Sequence, residues 1–151
     1  MSTGKGLRGW LRSLAGRRGE PLDADRADLV VVVSSFEDAE ACSTALERAA
    51  EVAPSWRSED EAVLRHHLAL PADAVERAAE LAGQDGYVVA GTGDRNVPPM
   101  AVDGASVILQ RVQILDALHC AQEKSRMASL AQRLGGTALG WDALQPQDSA
   151  G

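Results

Sequence analysis

Three histidines and one glutamate are the residues of this chain whose spacing could bind a metal ion. His66 and His67 are adjacent in a predicted strand, so their rings point to opposite faces and cannot bind one metal from the same side. His66 shares its face with leucines, which favours a partly buried, hydrogen-bonded histidine. His119 and Glu123 stand at i, i+4 on a predicted helix, a spacing that can share a metal, although no third ligand is near in sequence. A metal-binding protein that uses His66, His119 and Glu123 is therefore one open hypothesis.

The cysteines and the glycine-rich loop give no support for catalysis. Cys120 follows His119 on the same helix, and the two side chains point about 100° apart, so they cannot form a nucleophile–base pair. Cys42 and Cys120 belong to no CxxC motif and fall on predicted helices, where a buried free thiol is expected. The loop Gly91–Asp94 follows a strand but lacks the third glycine and the lysine of a phosphate-binding loop. The sequence predicts no catalytic site and no cofactor.

The charge is unevenly divided along the chain. Its 151 residues carry a net charge of −7, yet residues 1–20 hold five basic side chains and one acidic side chain. The remaining 131 residues hold 10 basic and 21 acidic side chains. An acidic body repels nucleic acid, because phosphate binding depends on clustered Lys and Arg. It either attracts a basic protein partner or serves solubility alone.

Residues 1–28 are predicted to be a basic flexible tail. Leu7, Trp10 and Leu11 recur at helical spacing while Arg12 and other basic residues occupy other faces, a pattern typical of segments that lie on anionic membranes. The glycines among them weaken such a helix by about 1 kcal/mol each. A peripheral membrane adaptor, or a protein-binding adaptor, that uses this segment is a second open hypothesis. The absence of a secretory pattern or an apolar run of ~20 residues predicts a cytoplasmic location.

The hydrophobic pattern predicts a single α+β domain over residues 29–144, followed by a disordered end over 145–151. From residue 62 onward the element order is β-α-β-β-α-β, that of a ferredoxin-like sandwich with helices on one face of an antiparallel sheet. An extra βα unit precedes it. The predicted strands cover residues 29–33, 62–70, 87–90, 107–115 and 137–142, and the predicted helices cover 39–53, 72–82 and 116–134.

The last helix ends in a glycine-rich corner. Gly135 and Gly136 close the helix, and the first of them supplies the left-handed cap. Gly140 falls inside the last strand, where a glycine often marks a close approach of backbone. Trp141 follows it and either packs over that glycine as part of the core or takes part in recognition.

This corner resembles the close of the ribonuclease E inhibitor RraB family, in which a helix ends with L..LA...GG and runs into a strand reading YDGW. The matching stretch here begins at Leu130 and ends in Gly140-Trp141. Upstream, the paired histidines and the later Gly-Tyr-Val resemble the family's opening strand and its "GY.V" strand. The similarity covers about residues 63–142 and leaves 29–53 outside. Where the family has Tyr-Asp before Gly-Trp, this chain has Ala138-Leu139.

The resemblance implies a ferredoxin-like domain and a non-catalytic regulator. Such a protein binds ribonuclease E and inhibits or modulates it by protein–protein contact, without binding nucleic acid directly. The family's target is a flexible region rich in Arg and Lys, which the acidic body fits. We expect the partner-binding residues to be His67, Gly135, Gly136, Gly140 and Trp141.

Overall fold

The structure is a computed structural model that describes residues 21–90 and 104–147. Its elements are β1 (Leu29–Ser35), α1 (Cys42–Ala49), β2 (Glu61–Pro71), α2 (Val75–Gly83), β3 (Val88–Val89), β4 (Gly104–Ile114), α3 (Ala117–Arg133) and β5 (Thr137–Pro146), with a short 3-10 turn at Ala72–Ala74 before α2. The predicted α+β class is therefore confirmed. The predicted loop Gly91–Asp94 lies outside the described residues.

The described strands form one sheet in the order β1-β5-β2-β4-β3, and every neighbouring pair is antiparallel. The central strand β2 pairs with β4 along its whole length and with β5 over most of it. The alternating pattern of β2 predicts one buried face, and that prediction is wrong because both faces are buried. The reason is its place in the sheet: a central strand has neighbours on both sides, and its second face carries a buried ionic network.

The three helices pack on one face of this sheet through small side chains. Leu64 of β2 belongs to a core cluster with residues of α1, and Leu68 and Leu70 belong to a second cluster with residues of α2 and α3. Burying each leucine contributes about 1.5–3 kcal/mol. The helices contribute mainly alanines, which let them approach the sheet closely; the buried ones are Ala45, Ala49, Ala78, Ala82 and Ala131.

The ends of the helices differ in how well they could be predicted. Asp116 caps α3, since its carboxylate accepts a hydrogen bond from His119 N at 2.8 Å. Gly135 follows α3 with φ +85°, the left-handed cap that was predicted. Ser34 with Glu37, or Ser35 with Asp38, predicts a capping box at the start of α1, and that prediction is wrong because the helix begins at Cys42 after an uncapped Ala41. Ser35 instead donates its hydroxyl hydrogen bond to Glu40 at 2.6 Å.

The described domain extends beyond its predicted bounds of 29–144 at both ends. Gln145 is fully buried, and its side chain exchanges hydrogen bonds with the main chain of Arg57, so the prediction of disorder from 145 is wrong at the start of that range. At the other end, Leu22 N donates to a carboxylate oxygen of Glu61 at 2.7 Å. Residues 21–28 are therefore bonded to the domain, while 1–20 and 148–151 lie outside the described residues.

Candidate functional site

A buried ionic network lies on the sheet face opposite the helices. It consists of Arg65, His67 and Asp142. Arg65 of β2 is the direct cross-strand partner of Asp142 of β5. Its Nε and Nη2 donate to the two carboxylate oxygens of Asp142, each at 2.7 Å, and His67 Nε2 lies 3.2 Å from the second oxygen. The pairing of β2 with β5 therefore forms a bidentate ion pair between Arg65 and Asp142, with His67 beside it.

Burial makes this network costly to disturb. Arg65, His67 and Asp142 are 3%, 1% and 5% exposed. Burial opposes ionisation of Asp142, but the hydrogen bonds from Arg65 and then His67 outweigh it and keep the pKa of this carboxyl below its usual value. Removing one partner of such a pair leaves an uncompensated buried charge, which costs about 3–5 kcal/mol.

Phe36 covers the histidine of the network because Gly140 leaves room for it. Gly140 is the cross-strand partner of His67. A Cβ at Gly140 would lie 2.7 Å from both Phe36 Cγ and the carbonyl oxygen of Ser35. The Phe36 ring instead rests with its centroid 5.1 Å from that of His67, at an interplanar angle of 60°. The predicted close approach at Gly140 is confirmed, and it places an aromatic ring over His67.

A second network lies between the sheet and α3. Tyr87 donates its hydroxyl hydrogen bond to a carboxylate oxygen of Glu123 at 2.7 Å. The guanidinium of Arg111 lies 4.6 Å from the centroid of the Tyr87 ring and 3.5 Å from the other Glu123 oxygen. The ring of His66 stands edge-on to Tyr87, with centroids 5.8 Å apart. Together these four residues form the tyrosine network.

Burial dominates the protonation of the tyrosine network. It lowers the pKa of His66 from its usual value to about 4, so the ring is neutral near pH 7. Burial and the hydrogen bond to Glu123 raise the pKa of Tyr87. For Glu123, burial acts against ionisation, but Tyr87 and the neighbouring arginines more than offset it and lower the pKa. The network therefore holds a neutral histidine, a neutral tyrosine and an ionised glutamate.

Neither network is arranged for the catalytic or metal chemistry considered above. Nδ1 of His67 has no hydrogen-bond partner in the described part of the chain, so no described hydroxyl or thiol is positioned for activation there. His66 and Glu123 both approach Tyr87, whereas His119 is exposed and bonded to Asp116 at 2.8 Å. Within residues 21–90 and 104–147, no group of three His, Cys, Asp or Glu side chains could hold a metal ion. The three residues of the metal hypothesis are thus not brought together.

The five predicted partner-binding residues differ in exposure: His67 and Trp141 are buried, Gly136 and Gly140 are partly buried, and Gly135 is exposed. Trp141 is 1% exposed and packs as part of the helix-side core, while its role in recognition stays a prediction. Gly136 lies against the carbonyl of Ala69, and Gly135 forms the helix cap. His67 is equally buried, and its contact with a partner stays a prediction. The membrane candidates Leu7, Trp10, Leu11 and Arg12 lie outside the described residues.

The two cysteines meet in the core between α1 and α3. Both are free and buried, as predicted for thiols on helices. Burial, followed by the neighbouring Cys42 thiol, raises the pKa of Cys120. The sequence alone could not predict this contact, because it depends on how the two helices pack.

Sequence reasoning missed Arg65 and Asp142 of the ionic network and Tyr87 and Arg111 of the tyrosine network. It considered Glu123 as a metal ligand and not as the hydrogen-bond partner of Tyr87. One signal was present, since Arg65 stands two residues before His67 in a strand and so shares its face. The partner Asp142 lies 77 positions away, and no local pattern connects it to Arg65.

The exposed surface is strongly anionic. Among the described residues 13 acidic side chains are exposed but only five basic ones, and four of those five arginines pair with an acidic side chain. The exposed acidic residues are Asp23, Asp25, Asp28, Glu37, Asp38, Glu47, Glu51, Glu59, Asp73, Glu76, Glu80, Asp85 and Asp116. The exposed part of the described domain is therefore negatively charged, whereas His66 and His67 are buried.

No helix in the described part of the chain is both long and apolar enough to cross a membrane. No protein-family model, curated protein or solved structure matches the chain. The exposed surface and the two networks are therefore the features from which a function can be inferred.

Proposed function

We propose that this chain is a non-catalytic regulatory protein that binds ribonuclease E and inhibits or modulates its activity in RNA decay. The observation that carries the proposal is the exposed surface of residues 21–90 and 104–147, which has 13 acidic against five basic side chains. The resemblance to the RraB family implies a flexible target region rich in Arg and Lys. Opposite charge speeds the encounter of two proteins and helps to select the partner. The same surface repels RNA, so the regulator acts on the protein and not on its substrate.

The two networks support a structural and not a catalytic role. Arg65 with Asp142, and Tyr87 with Glu123, are buried pairs whose side chains are hydrogen-bonded to each other. A buried group that already has its partners is not accessible to a substrate. Both cysteines are free, which is usual in a reducing compartment, and we place the protein in the cytoplasm.

We further propose a ferredoxin-like arrangement for the part of the domain from β2 to β5. The support comes from the connections in the sheet. The strands β2 and β3, joined through α2, have β4 between them, and the strands β4 and β5, joined through α3, have β2 between them. Two interleaved βαβ units of this kind define the split βαβ pattern. The extra unit, β1 with α1, then extends the sheet beyond β5.

The test uses the full chain and purified ribonuclease E from the same organism. Binding is measured by calorimetry at low and at moderate ionic strength, and cleavage of an RNA substrate is followed with and without the chain. We expect a complex that weakens as salt rises and slower or altered cleavage, with the chain itself unchanged. An unrelated protein of similar size and net charge serves as the control. Absence of binding at low ionic strength would overturn the proposal.

A further inference from the structure

The strand β1 forms one edge of the described sheet, with β5 as its neighbour. Gln147 N donates to Asp28 O at 2.9 Å, so the main-chain groups of Asp28 face β5. Along an antiparallel pair, residues whose main-chain N–H and C=O groups face the neighbouring strand alternate with residues whose groups face away from it. The N–H and C=O groups of Leu29 and Val31 therefore point away from β5, to the outside of the sheet. Outward N–H and C=O groups on an edge strand are the groups that another extended chain can pair with.

A groove runs beside this edge. A cavity of about 210 Å³ is lined by Val31–Ser34 of β1, by Arg48 and Ala49 of α1, and by residues 52–54, which follow α1 in the chain. Val52 is 58% exposed at its rim. A strand paired to β1 would have a place here for one apolar side chain.

The far end of the edge is already occupied. Arg48 donates from Nη2 to the carbonyl oxygen of Ser34 at 2.9 Å, and Glu40 holds the same guanidinium. An added strand therefore pairs with the outward groups of Leu29 and Val31, meets the shift in the β1–β5 register between Val31 and Val33, and stops before Ser34. This limits the docked segment to a few residues.

The charge around the edge specifies the chemistry of its partner. Exposed acidic residues precede β1, follow it and line the outer side of α1. In the described residues around this edge the basic side chains are Arg26 and Arg48, which pair with Asp28 and Glu40. The exposed acidic residues are Asp23, Asp25, Asp28, Glu37, Asp38, Glu47 and Glu51. A second copy of this chain would bring an equally acidic edge, and like charges disfavour that pairing.

We propose that β1 is the docking edge for an extended, Lys- and Arg-rich segment of the protein partner. The segment adds as a sixth strand along Leu29–Val33, places an apolar side chain in the groove and sets its basic side chains against the acidic rim. The identity of the partner rests on the proposed function, in which the segment belongs to ribonuclease E. The mode of binding rests on the edge itself.

A pair of proline variants tests the edge. Proline removes an N–H, and on an edge strand it is tolerated where that N–H points outward. Val31→Pro removes an outward donor of β1. The matched control is Val89→Pro on the opposite edge: Ala90 N donates to Ile108 O, so the neighbouring Val89 faces outward. We expect Val31→Pro to weaken binding of ribonuclease E about tenfold, the loss that one hydrogen bond of about 1.4 kcal/mol would cause, and Val89→Pro to change it less than about twofold.

A pair of charge variants tests the acidic rim. The same stretch, Glu-Arg-Ala-Ala-Glu, occurs at 47–51 beside β1 and at 76–80 on α2. Both glutamates of each stretch are exposed. We expect Glu47→Gln with Glu51→Gln to weaken binding at low salt about threefold or more, an effect of rim charges on encounter. The combination Glu76→Gln with Glu80→Gln makes the same charge change on α2 and is expected to have a smaller effect.

Hydrogen exchange of the unmutated chain gives a readout that no folding defect can imitate. On binding, the amides of Leu29 and Val31 should gain protection while that of Val89 does not. If ribonuclease E binds and neither this protection nor the Val31→Pro effect is seen, the edge inference is overturned while the proposed function stands. A homodimer that Val31→Pro abolishes would also overturn it, because the occupant would be a second copy.

A different result separates the two proposals. If ribonuclease E does not bind, the proposed function fails, and the edge is then tested with a synthetic peptide of alternating lysine and valine. Binding of that peptide with new protection at Leu29 and Val31 supports the edge inference. Absence of binding at low ionic strength overturns it.

Discussion

Acid should destabilise this domain through His66 before its carboxylates are protonated. Burial lowers the pKa of His66 from 6.5 to about 4. The unfolded chain therefore takes up a proton near pH 6.5, whereas the folded chain resists it until about pH 4. The stability held above pH 6.5 is lost as the pH falls through this window. A difference of about 2.5 pKa units, at 1.36 kcal/mol each, lowers the free energy of unfolding by about 3 kcal/mol.

Urea unfolding, followed by tryptophan fluorescence, to which the buried Trp141 contributes, measures this loss between about pH 7 and about pH 4. His66→Phe keeps an aromatic ring beside Tyr87 and removes the ionisable group. We expect that variant to lose most of the pH dependence over the window. His119→Gln, at an exposed histidine of α3, is the matched control and should keep it. A wild-type free energy of unfolding that stays constant between about pH 7 and about pH 4, or a pH dependence that survives in His66→Phe, would show that His66 does not cause the acid destabilisation.

Two further predictions concern the sheet face that carries the ionic network. Gly140→Ala places a methyl group 2.7 Å from Phe36 Cγ and should destabilise the domain by about 1–3 kcal/mol in urea unfolding. The control Gly83→Ala, whose methyl group meets nothing within 4 Å, should be neutral or slightly stabilising. Equal effects of the two variants would contradict the close approach at Gly140. Asp142→Asn leaves the charge of Arg65 with a weaker partner in the interior and should cost up to about 3–5 kcal/mol at neutral pH, so a loss below about 1 kcal/mol would show that the pair is not buried as described.

Local patterns of the sequence predicted the elements well. The β-branched run at β1, the alternation in β2 and the apolar spacing of α3 each placed an element of the correct type, with ends that differ by a few residues. The burial of both faces of β2 could not be predicted, because it depends on which strands pair beside it. A single sequence does not specify that order.

The candidate site shows the same division. The opposite orientation of His66 and His67 and the close approach at Gly140 follow from one strand each, and both were predictable. The ion pair of Arg65 with Asp142 required the pairing of β2 with β5, which is a contact between distant parts of the chain. The predicted end of β5 at residue 142 was wrong for a related reason: Gln145 is polar, but its side chain is hydrogen-bonded to the loop before β2.

We propose that the acidic surface binds ribonuclease E, and a calorimetric titration of the purified nuclease with the full chain tests this proposal at low and at moderate ionic strength. We expect a saturable complex whose affinity falls as salt is added. No heat of binding at low ionic strength, together with no change in the nuclease's cleavage of RNA, would contradict it.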